Sequence, residues 1–176
     1  MNVNELHFTA EQQDEACGGT LQQKIAELAR LVEPQAASHG GKAVAEHGVR
    51  GALALARDGY KELFDDWLPY YRSIKDEEYA LQRTLLHIMS QLDDTCIIYR
   101  VGYERAQEVK REAAELLEVA DREIAGQAGN DDKATAFTQK LQQLCSKYAA
   151  AGISPGGCAD MLSLTLFADS ILTNNT

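Results

Sequence analysis

Apolar residues recur at helical spacing along almost the whole chain, and this periodicity limits the fold more than any other feature. The first clear example is the run Leu21, Ile25, Leu28 and Leu31. Such spacing places apolar side chains on one face of an amphipathic helix. Alternating β-branched runs bounded by turns, which would indicate strands, do not occur. The sequence therefore predicts an all-α protein, a bundle of about six to eight helices.

The length and charge restrict the domain count and the partners. A chain of 176 residues is enough for one core, so we expect residues 1–176 to form a single helical domain. Its 27 acidic and 17 basic residues give a net charge of -10, and no basic cluster offsets it, so nucleic acid and anionic membranes are not expected as partners. With neither a leader pattern nor a membrane-length apolar run, the expected location is the cytoplasm.

Turn residues divide the periodic pattern into segments. Gly48 and Gly51 interrupt an Ala- and Leu-rich stretch and mark a helix break or a close approach of another backbone. The four cysteines form no CxxC pair, so reduced thiols are expected rather than a zinc knuckle. The remaining helices are predicted at about 62–71, 76–100, 103–124 and 135–150, with a surface loop at 125–133 and a last helix that runs to about Leu172.

Two adjacent acids lie in the longest predicted helix, which is apolar on several faces and therefore expected to be buried. Buried carboxylates need a cation, a metal ion or several hydrogen bonds, so Asp93 and Asp94 are candidates for acid–base chemistry or Mg²⁺ binding. His87 lies on the same predicted face as Asp94. The alternative is structural: Asp93 pairs with Arg100, and Asp94 caps or bridges a neighbouring helix.

Two further segments carry polar groups suited to anions. In Ser154-Pro155-Gly156-Gly157, serine can cap a helix, proline suits its first position and the glycines leave N–H groups bare, an arrangement that attracts phosphate. A tight turn between helices explains this segment equally well. Arg50, between two glycines, has a guanidinium suited to phosphate oxygens, although a solvated surface arginine is the alternative.

Three segments, taken in order, resemble the C-terminal half of the triphosphoribosyl-dephospho-CoA synthase family: SHGGKAVAEHGVRGA (38–52), QLDDTCIIYRVG (91–102) and ISPGGCADMLSLTLF (153–167). The resemblance implies a helical transferase that joins ATP and 3'-dephospho-CoA and releases adenine. The product would be the prosthetic-group precursor for the acyl carrier protein of citrate lyase or malonate decarboxylase. Mg²⁺ is implied by the ATP chemistry.

The resemblance also assigns residues. It implies that Asp94, with Asp93, acts as the base or metal ligand. Arg50, Arg100 and the turn that begins at Ser154 would bind phosphate. The substrate-binding positions that match the family's motifs are Arg50, Gly51, Thr95, Arg100, Ser154, Gly156, Gly157 and Asp160.

The chain also departs from the family's pattern. Cys96, Tyr99, Val101, Cys158 and Leu55 stand where the family usually has Asn, His, Gly, Ser and Glu. The family's N-terminal TPKPGLVD-like and NTHKG-like runs have no counterpart. Helices that would pack on that half are expected to expose apolar surface.

Three functions follow from this pattern. The first is a truncated or split transferase, completed by a second copy in a homodimer or by a separate chain with the N-terminal half. The second is a non-catalytic relative that binds a nucleotide, a CoA derivative or a protein. The third, from spacing alone, is a metal-dependent phosphohydrolase using His87 with Asp93 and Asp94, although such sites normally gather more histidines.

Overall fold

The computed structural model describes residues 21–34, 36–126 and 135–173, which form nine α-helices, one π-helical segment and no strand. The all-α prediction is confirmed. In chain order the elements are α1 Leu21–Arg30, α2 His39–His47, α3 Ala52–Arg57, the π segment Leu63–Trp67, α4 Leu68–Ser73, α5 Glu77–Gln91, α6 Thr95–Val101, α7 Tyr103–Gly126, α8 Thr135–Ala150 and α9 Gly156–Thr173.

The core is centred on α5 and α7, which pack along one another. Small side chains on α7, namely Ala106, Val109, Ala113 and Ala120, are almost fully buried and recur on one face. Small residues on a shared face let two helix backbones approach closely. The helices α4 and α9 cover α5, while α6 and α8 cover α7. This arrangement leaves α1, α2 and α3 as an outer layer, in which α1 packs on α3 and α2 packs on α6.

The two glycines that were expected to interrupt a helix do so. Gly48 ends α2 with a φ of 66°, a left-handed conformation that favours glycine. Gly51 precedes α3, and a Cβ at this position would lie 3.0 Å from Cγ2 of Val44. The break therefore also allows α2 and α3 to lie close together.

The prediction of one long helix from about Asp76 to Arg100 is wrong. The helix α5 ends at Gln91, Leu92 is extended, and α6 begins at Thr95. Asp94 supplies the physical reason, because its side chain accepts hydrogen bonds from the N–H groups of Cys96 and Ile97 and so caps a new helix. Asp93 and Asp94 consequently lie in a connection rather than on helix faces.

Other boundaries agree closely with the sequence pattern. The predicted helix 135–150 is α8, and α7 continues slightly beyond its predicted end to Gly126. Most of the predicted loop 125–133 lies outside the described residues, as does Cys17. None of the helices in the described part of the chain combines the length and the hydropathy needed to cross a membrane.

Candidate functional site

The three segments that resemble the family's motifs meet at the start of α6. Glycines of α2 and α9 approach three consecutive residues there, so closely that a Cβ on each glycine would lie within 3.3 Å of its neighbour. The pairs are Gly40 with Thr95, Gly156 with Cys96, and Gly157 with Asp94. Segments that are far apart in sequence therefore form one site, with glycine at each close approach.

Asp94 is the centre of this junction and is only 3% exposed. Its Oδ1 accepts hydrogen bonds from the backbone N–H groups of Cys96 (2.8 Å) and Ile97 (3.3 Å). Its Oδ2 accepts one from the N–H of Cys158 (2.9 Å), in the first turn of α9. One carboxylate thus caps two helices, and both helix dipoles favour its negative charge. This geometry is the capping and bridging role that the sequence left as the alternative for Asp94.

The Ser154–Gly157 turn therefore faces an anion that belongs to the chain itself. The sequence predicts Pro155 as the first residue of the last helix, but α9 begins one residue later, at Gly156. The carbonyl of Ser154 accepts the N–H of Gly156 at 2.9 Å. Phosphate binding by Ser154, Gly156 and Gly157 stays a prediction, and the N–H of Cys158 is already used by Asp94. Asp160, one turn further, is exposed.

Cys96 and Cys158, two of the positions that depart from the family's pattern, lie at the same junction. Burial and the nearby Asp94 carboxylate raise the pKa of Cys96. Burial and Asp94 also raise the pKa of Cys158, which is fully buried. Both thiols therefore stay protonated at neutral pH and are poor nucleophiles.

Asp93 points to a different part of the fold. Its Oδ1 accepts hydrogen bonds from Nζ of Lys110 (2.8 Å) and Nε2 of Gln107 (2.9 Å), both on α7. Burial alone would raise the pKa of Asp93, but the hydrogen bonds from Lys110 and Gln107 outweigh it and lower that pKa. Asp93 is therefore ionised, and its partner is Lys110 instead of the expected Arg100.

Arg50 makes ion pairs with Asp58 and Glu62 on its own side of the fold. The structure nevertheless brings Arg50 near Asp93, because both line a small cavity of about 110 Å³. One carboxylate oxygen of Glu62, Oε2, is buried without a hydrogen-bond partner among the described residues. The other residues around this inner cavity are Leu55, Glu62, Trp67, Gln91 and Leu92.

Arg100 and Thr95 lie on α6 close to the junction. Arg100 is exposed, and within the described residues no ion pair engages it. One residue earlier, the ring of Tyr99 contacts that of His39, with centroids 3.6 Å apart and the planes tilted by 35°. This contact holds the start of α2 against α6. Arg100, which the sequence predicts to bind phosphate, therefore lies beside the junction, and its guanidinium is available to an anion.

His87 does not join the two aspartates. Its Nε2 lies 3.0 Å from Oδ1 of Asp66, in the π segment, and its ring stacks on Tyr70. In the ranges that the structure describes, no group of three or more His, Cys, Asp or Glu side chains is arranged to hold a metal ion. The phosphohydrolase alternative therefore has no support there. The carboxylates of Asp93 and Asp94 turn towards α7 and α9 respectively, and their role as Mg²⁺ ligands stays a prediction.

Sequence reasoning missed the partners of the two key charged groups. Asp58 and Glu62 bind Arg50, and Lys110 with Gln107 binds Asp93. Lys110 and Gln107 share one face of α7 through their three-residue spacing, which was the available signal. Nothing in the local pattern indicated which carboxylate that face would meet.

Comparison with known proteins found a matching family model and similar curated proteins. The family model for ATP:dephospho-CoA triphosphoribosyl transferase matches residues 2–176. A probable 2-(5''-triphosphoribosyl)-3'-dephosphocoenzyme-A synthase of Azotobacter vinelandii is 34% identical over 156 residues, covering 84% of this chain and 50% of the relative. A protein of the same description from Stutzerimonas stutzeri is 33% identical over 164 residues, covering 89% of this chain and 53% of the relative.

The chain spans about half the length of the curated relatives it matches. No solved structure matches it. The family match extends over nearly all 176 residues and includes the three segments that meet at Asp94. The chain belongs to the ATP:dephospho-CoA triphosphoribosyl transferase family.

Proposed function

We propose that this chain carries part of the site of a triphosphoribosyl-dephospho-CoA synthase. In that reaction the bond between the ribose C1 of ATP and adenine breaks. A new bond forms between this carbon and a hydroxyl oxygen of 3'-dephospho-CoA, and adenine leaves with the hydroxyl proton. The convergence of three separate motif segments on Asp94, Thr95 and Cys96 is the observation that supports this most directly.

The chemistry requires a carboxylate near the reacting carbon. Positive charge develops on the sugar, and the acceptor hydroxyl loses a proton. Both oxygens of Asp94 are already used by backbone N–H groups, whereas Asp93 lines the inner cavity and is kept ionised by Lys110. We assign Asp93 as the carboxylate that faces the substrate, and Asp94 as the residue that positions α6 and α9.

The phosphates need cationic partners. Arg50 and Arg100 are the arginines placed for this role, and the Ser154 turn with Thr95 adds polar groups between them. A phosphate at Arg50 would replace Asp58 or Glu62, since both now accept from its guanidinium. Mg²⁺ would bind mainly to ATP oxygens and water, which is its usual mode at nucleotide sites.

The use of the reaction product is inferred from the family resemblance. We propose that the product serves as the precursor of the prosthetic group of citrate lyase or malonate decarboxylase. Because the chain spans about half of its relatives, the complete site would also use residues outside these 176, from the same polypeptide, a separate chain or a second copy. The exposed apolar residues Leu28 (66%), Leu31 (79%) and Val32 (52%) are consistent with such packing.

One observation favours a non-catalytic binding relative instead. Asp94, the acid that matches the family's Asp-Thr pair, accepts backbone N–H groups at the start of two helices with both of its carboxylate oxygens. Such a relative would bind a nucleotide or CoA derivative and would release no adenine.

Calorimetric titration with ATP and with 3'-dephospho-CoA, both with Mg²⁺, tests the proposal together with a chromatographic assay for adenine. We expect both ligands to bind this chain, and adenine to be released once a second chain that carries the family's N-terminal half is added. Asp93→Asn should keep the binding and reduce adenine release at least about a hundredfold, whereas Glu115→Gln, at an exposed position of α7, should change neither. Binding without adenine release in this mixture would establish the non-catalytic alternative, and absence of binding to either ligand would refute the proposal.

A further inference from the structure

Two grooves flank α3. The first, here called the apolar groove, has a volume of about 760 Å³ and lies between the end of α1, α2 and α3. Most of its lining is aliphatic. The residues that define it are Val32, Pro34, Ala36, Val44, Ala45 and Leu53. Its size and composition are typical of a pocket for a small organic ligand, which usually has about 300–1,000 Å³.

The second groove, here called the basic groove, has a volume of about 730 Å³. Four cations surround it, Arg30, Arg50, Arg57 and Lys61, together with three acids, Asp58, Glu62 and Asp65. The cations therefore outnumber the acids by one in this groove, in a chain with a net charge of -10. Among the described residues this groove is thus a local exception to the acidic character of the protein, and it favours an anion.

Arg57 joins the two grooves. Arg57 and Asp58 line both, so the apolar and basic grooves adjoin each other at these residues. The guanidinium of Arg57 donates to the carbonyl oxygens of Ala29 (Nε, 3.3 Å) and Val32 (Nη2, 2.9 Å) at the end of α1. These bonds fix its position and leave further N–H donors for an anion.

The basic groove in turn adjoins the inner cavity beside Asp93. Arg50 and Glu62 line both of these spaces. The order along the surface is therefore the apolar groove, Arg57, the basic groove, Arg50 and the cavity at Asp93.

We propose that this series of spaces binds one elongated substrate, with a neutral amide-bearing arm in the apolar groove and a diphosphate between Arg57 and Lys61. The inference rests on the proposed function, because 3'-dephospho-CoA has these groups in this order. Its pantetheine arm is joined to a diphosphate, and the ribose with its hydroxyl groups follows. An arm in the apolar groove therefore directs the ribose from the basic groove towards the inner cavity, with an acceptor hydroxyl near Asp93. ATP has no such arm and would not use the apolar groove.

The test compares ligands that carry different parts of the substrate. Titrations use 3'-dephospho-CoA, pantetheine and ATP with Mg²⁺. Val44→Asp, and Ala45→Asp as a second variant at an exposed position, place a charge in the apolar groove. Lys61→Glu reverses a charge in the basic groove. Phe167→Asp and Arg111→Glu are matched controls at exposed positions that line neither groove.

We expect Val44→Asp and Ala45→Asp to weaken 3'-dephospho-CoA at least about tenfold, and pantetheine likewise, with ATP unchanged. Lys61→Glu should weaken 3'-dephospho-CoA but leave pantetheine unchanged. Circular dichroism identifies any variant that fails to fold, and Ala45→Asp then replaces Val44→Asp.

If 3'-dephospho-CoA binds the wild-type chain and the groove variants behave like Phe167→Asp, this assignment is wrong while the proposed function stands. If the wild-type chain binds neither ATP nor 3'-dephospho-CoA, the proposed function itself fails and this assignment fails with it.

Discussion

The carboxylate of Asp94 accepts a hydrogen bond of 2.9 Å from the backbone N–H of Cys158, 64 residues further along the chain. The same carboxylate caps α6, so the N-terminal ends of α6 and α9 meet at one negative charge. Two helix dipoles directed at one buried carboxylate stabilise its negative charge. The junction is therefore held by backbone groups, and the residues around it have little freedom to change in size.

Gly157 is the position most sensitive to size. A Cβ there would lie 3.1 Å from Oδ1 and 3.2 Å from Cγ of Asp94. We expect Gly157→Ala to lower the free energy of unfolding by about 1–2 kcal/mol, because crowding of a buried carboxylate outweighs the gain of about 1 kcal/mol in helix propensity. Gly156→Ala, with its nearest contact at 3.3 Å from Sγ of Cys96, is the comparison and should lose less, because the thiol can shift more easily than a carboxylate held by three N–H groups. Urea denaturation measures both, and equal stability of the two variants would contradict the close packing.

The variant Asp94→Asn tests how much the capping role of Asp94 contributes to stability. Asparagine can still cap α6 through its carbonyl, but its NH₂ group would face the N–H of Cys158, which loses its acceptor. We expect a loss of about 2–3 kcal/mol in the free energy of unfolding, as for a buried hydrogen bond to a charged group. Asp93→Asn should cost less than about 1 kcal/mol, since Asp93 is more exposed. Thermal denaturation compares them, and a larger loss in Asp93→Asn would reverse the roles assigned here.

The helices were accessible from sequence because apolar periodicity is a local property, and α7, α8 and the break at Gly48 and Gly51 followed from it. The division between α5 and α6 was missed because Asp94, a strong N-cap residue, stands within an otherwise continuous apolar stripe. The structure brings together the three segments to which the candidate site residues belong, but the partners of these residues were not predicted. The partners of Asp93, Arg50 and the N-terminus of α9 come from distant segments of the chain. They depend on how the helices pack, which the local sequence pattern does not specify.

Acid stability depends on Glu112, which accepts hydrogen bonds from Arg105 and Lys147 and so joins α7 to α8. Burial alone would raise its pKa, but the bonds from Arg105 and Lys147 lower it from 4.5 to about 2. The stabilisation is therefore present above pH 4.5 and is lost as the pH falls towards 2.

We expect Glu112→Gln to lower the free energy of unfolding at pH 6 by about 1–2 kcal/mol, after allowance for solvent screening. The difference from the wild type should shrink as the pH falls towards 2. Melting temperatures measured across this range test it, with the exposed Glu118→Gln as control. A constant difference between wild type and Glu112→Gln at all pH values would exclude this ionisation as the cause.

Substitution of Arg50 tests whether a ligand's phosphate competes with the carboxylates of Asp58 and Glu62 for this guanidinium. Its ion pairs with Asp58 and Glu62 are largely exposed, so Arg50→Ala should change the free energy of unfolding by less than about 1 kcal/mol. ATP affinity should nevertheless fall about tenfold or more, because a charge-assisted phosphate contact is lost.

Asp58→Asn is the informative companion, since it removes one competitor for Arg50 and leaves the guanidinium in place. We expect this variant to bind ATP about two- to fivefold more tightly than the wild type, as loss of a nearby negative charge favours an anion. Calorimetric titration at two salt concentrations measures the effect, which should diminish at higher ionic strength. Should Asp58→Asn instead weaken ATP binding as Arg50→Ala does, Asp58 would be a support that orients Arg50, and the phosphate would have to bind without displacing it.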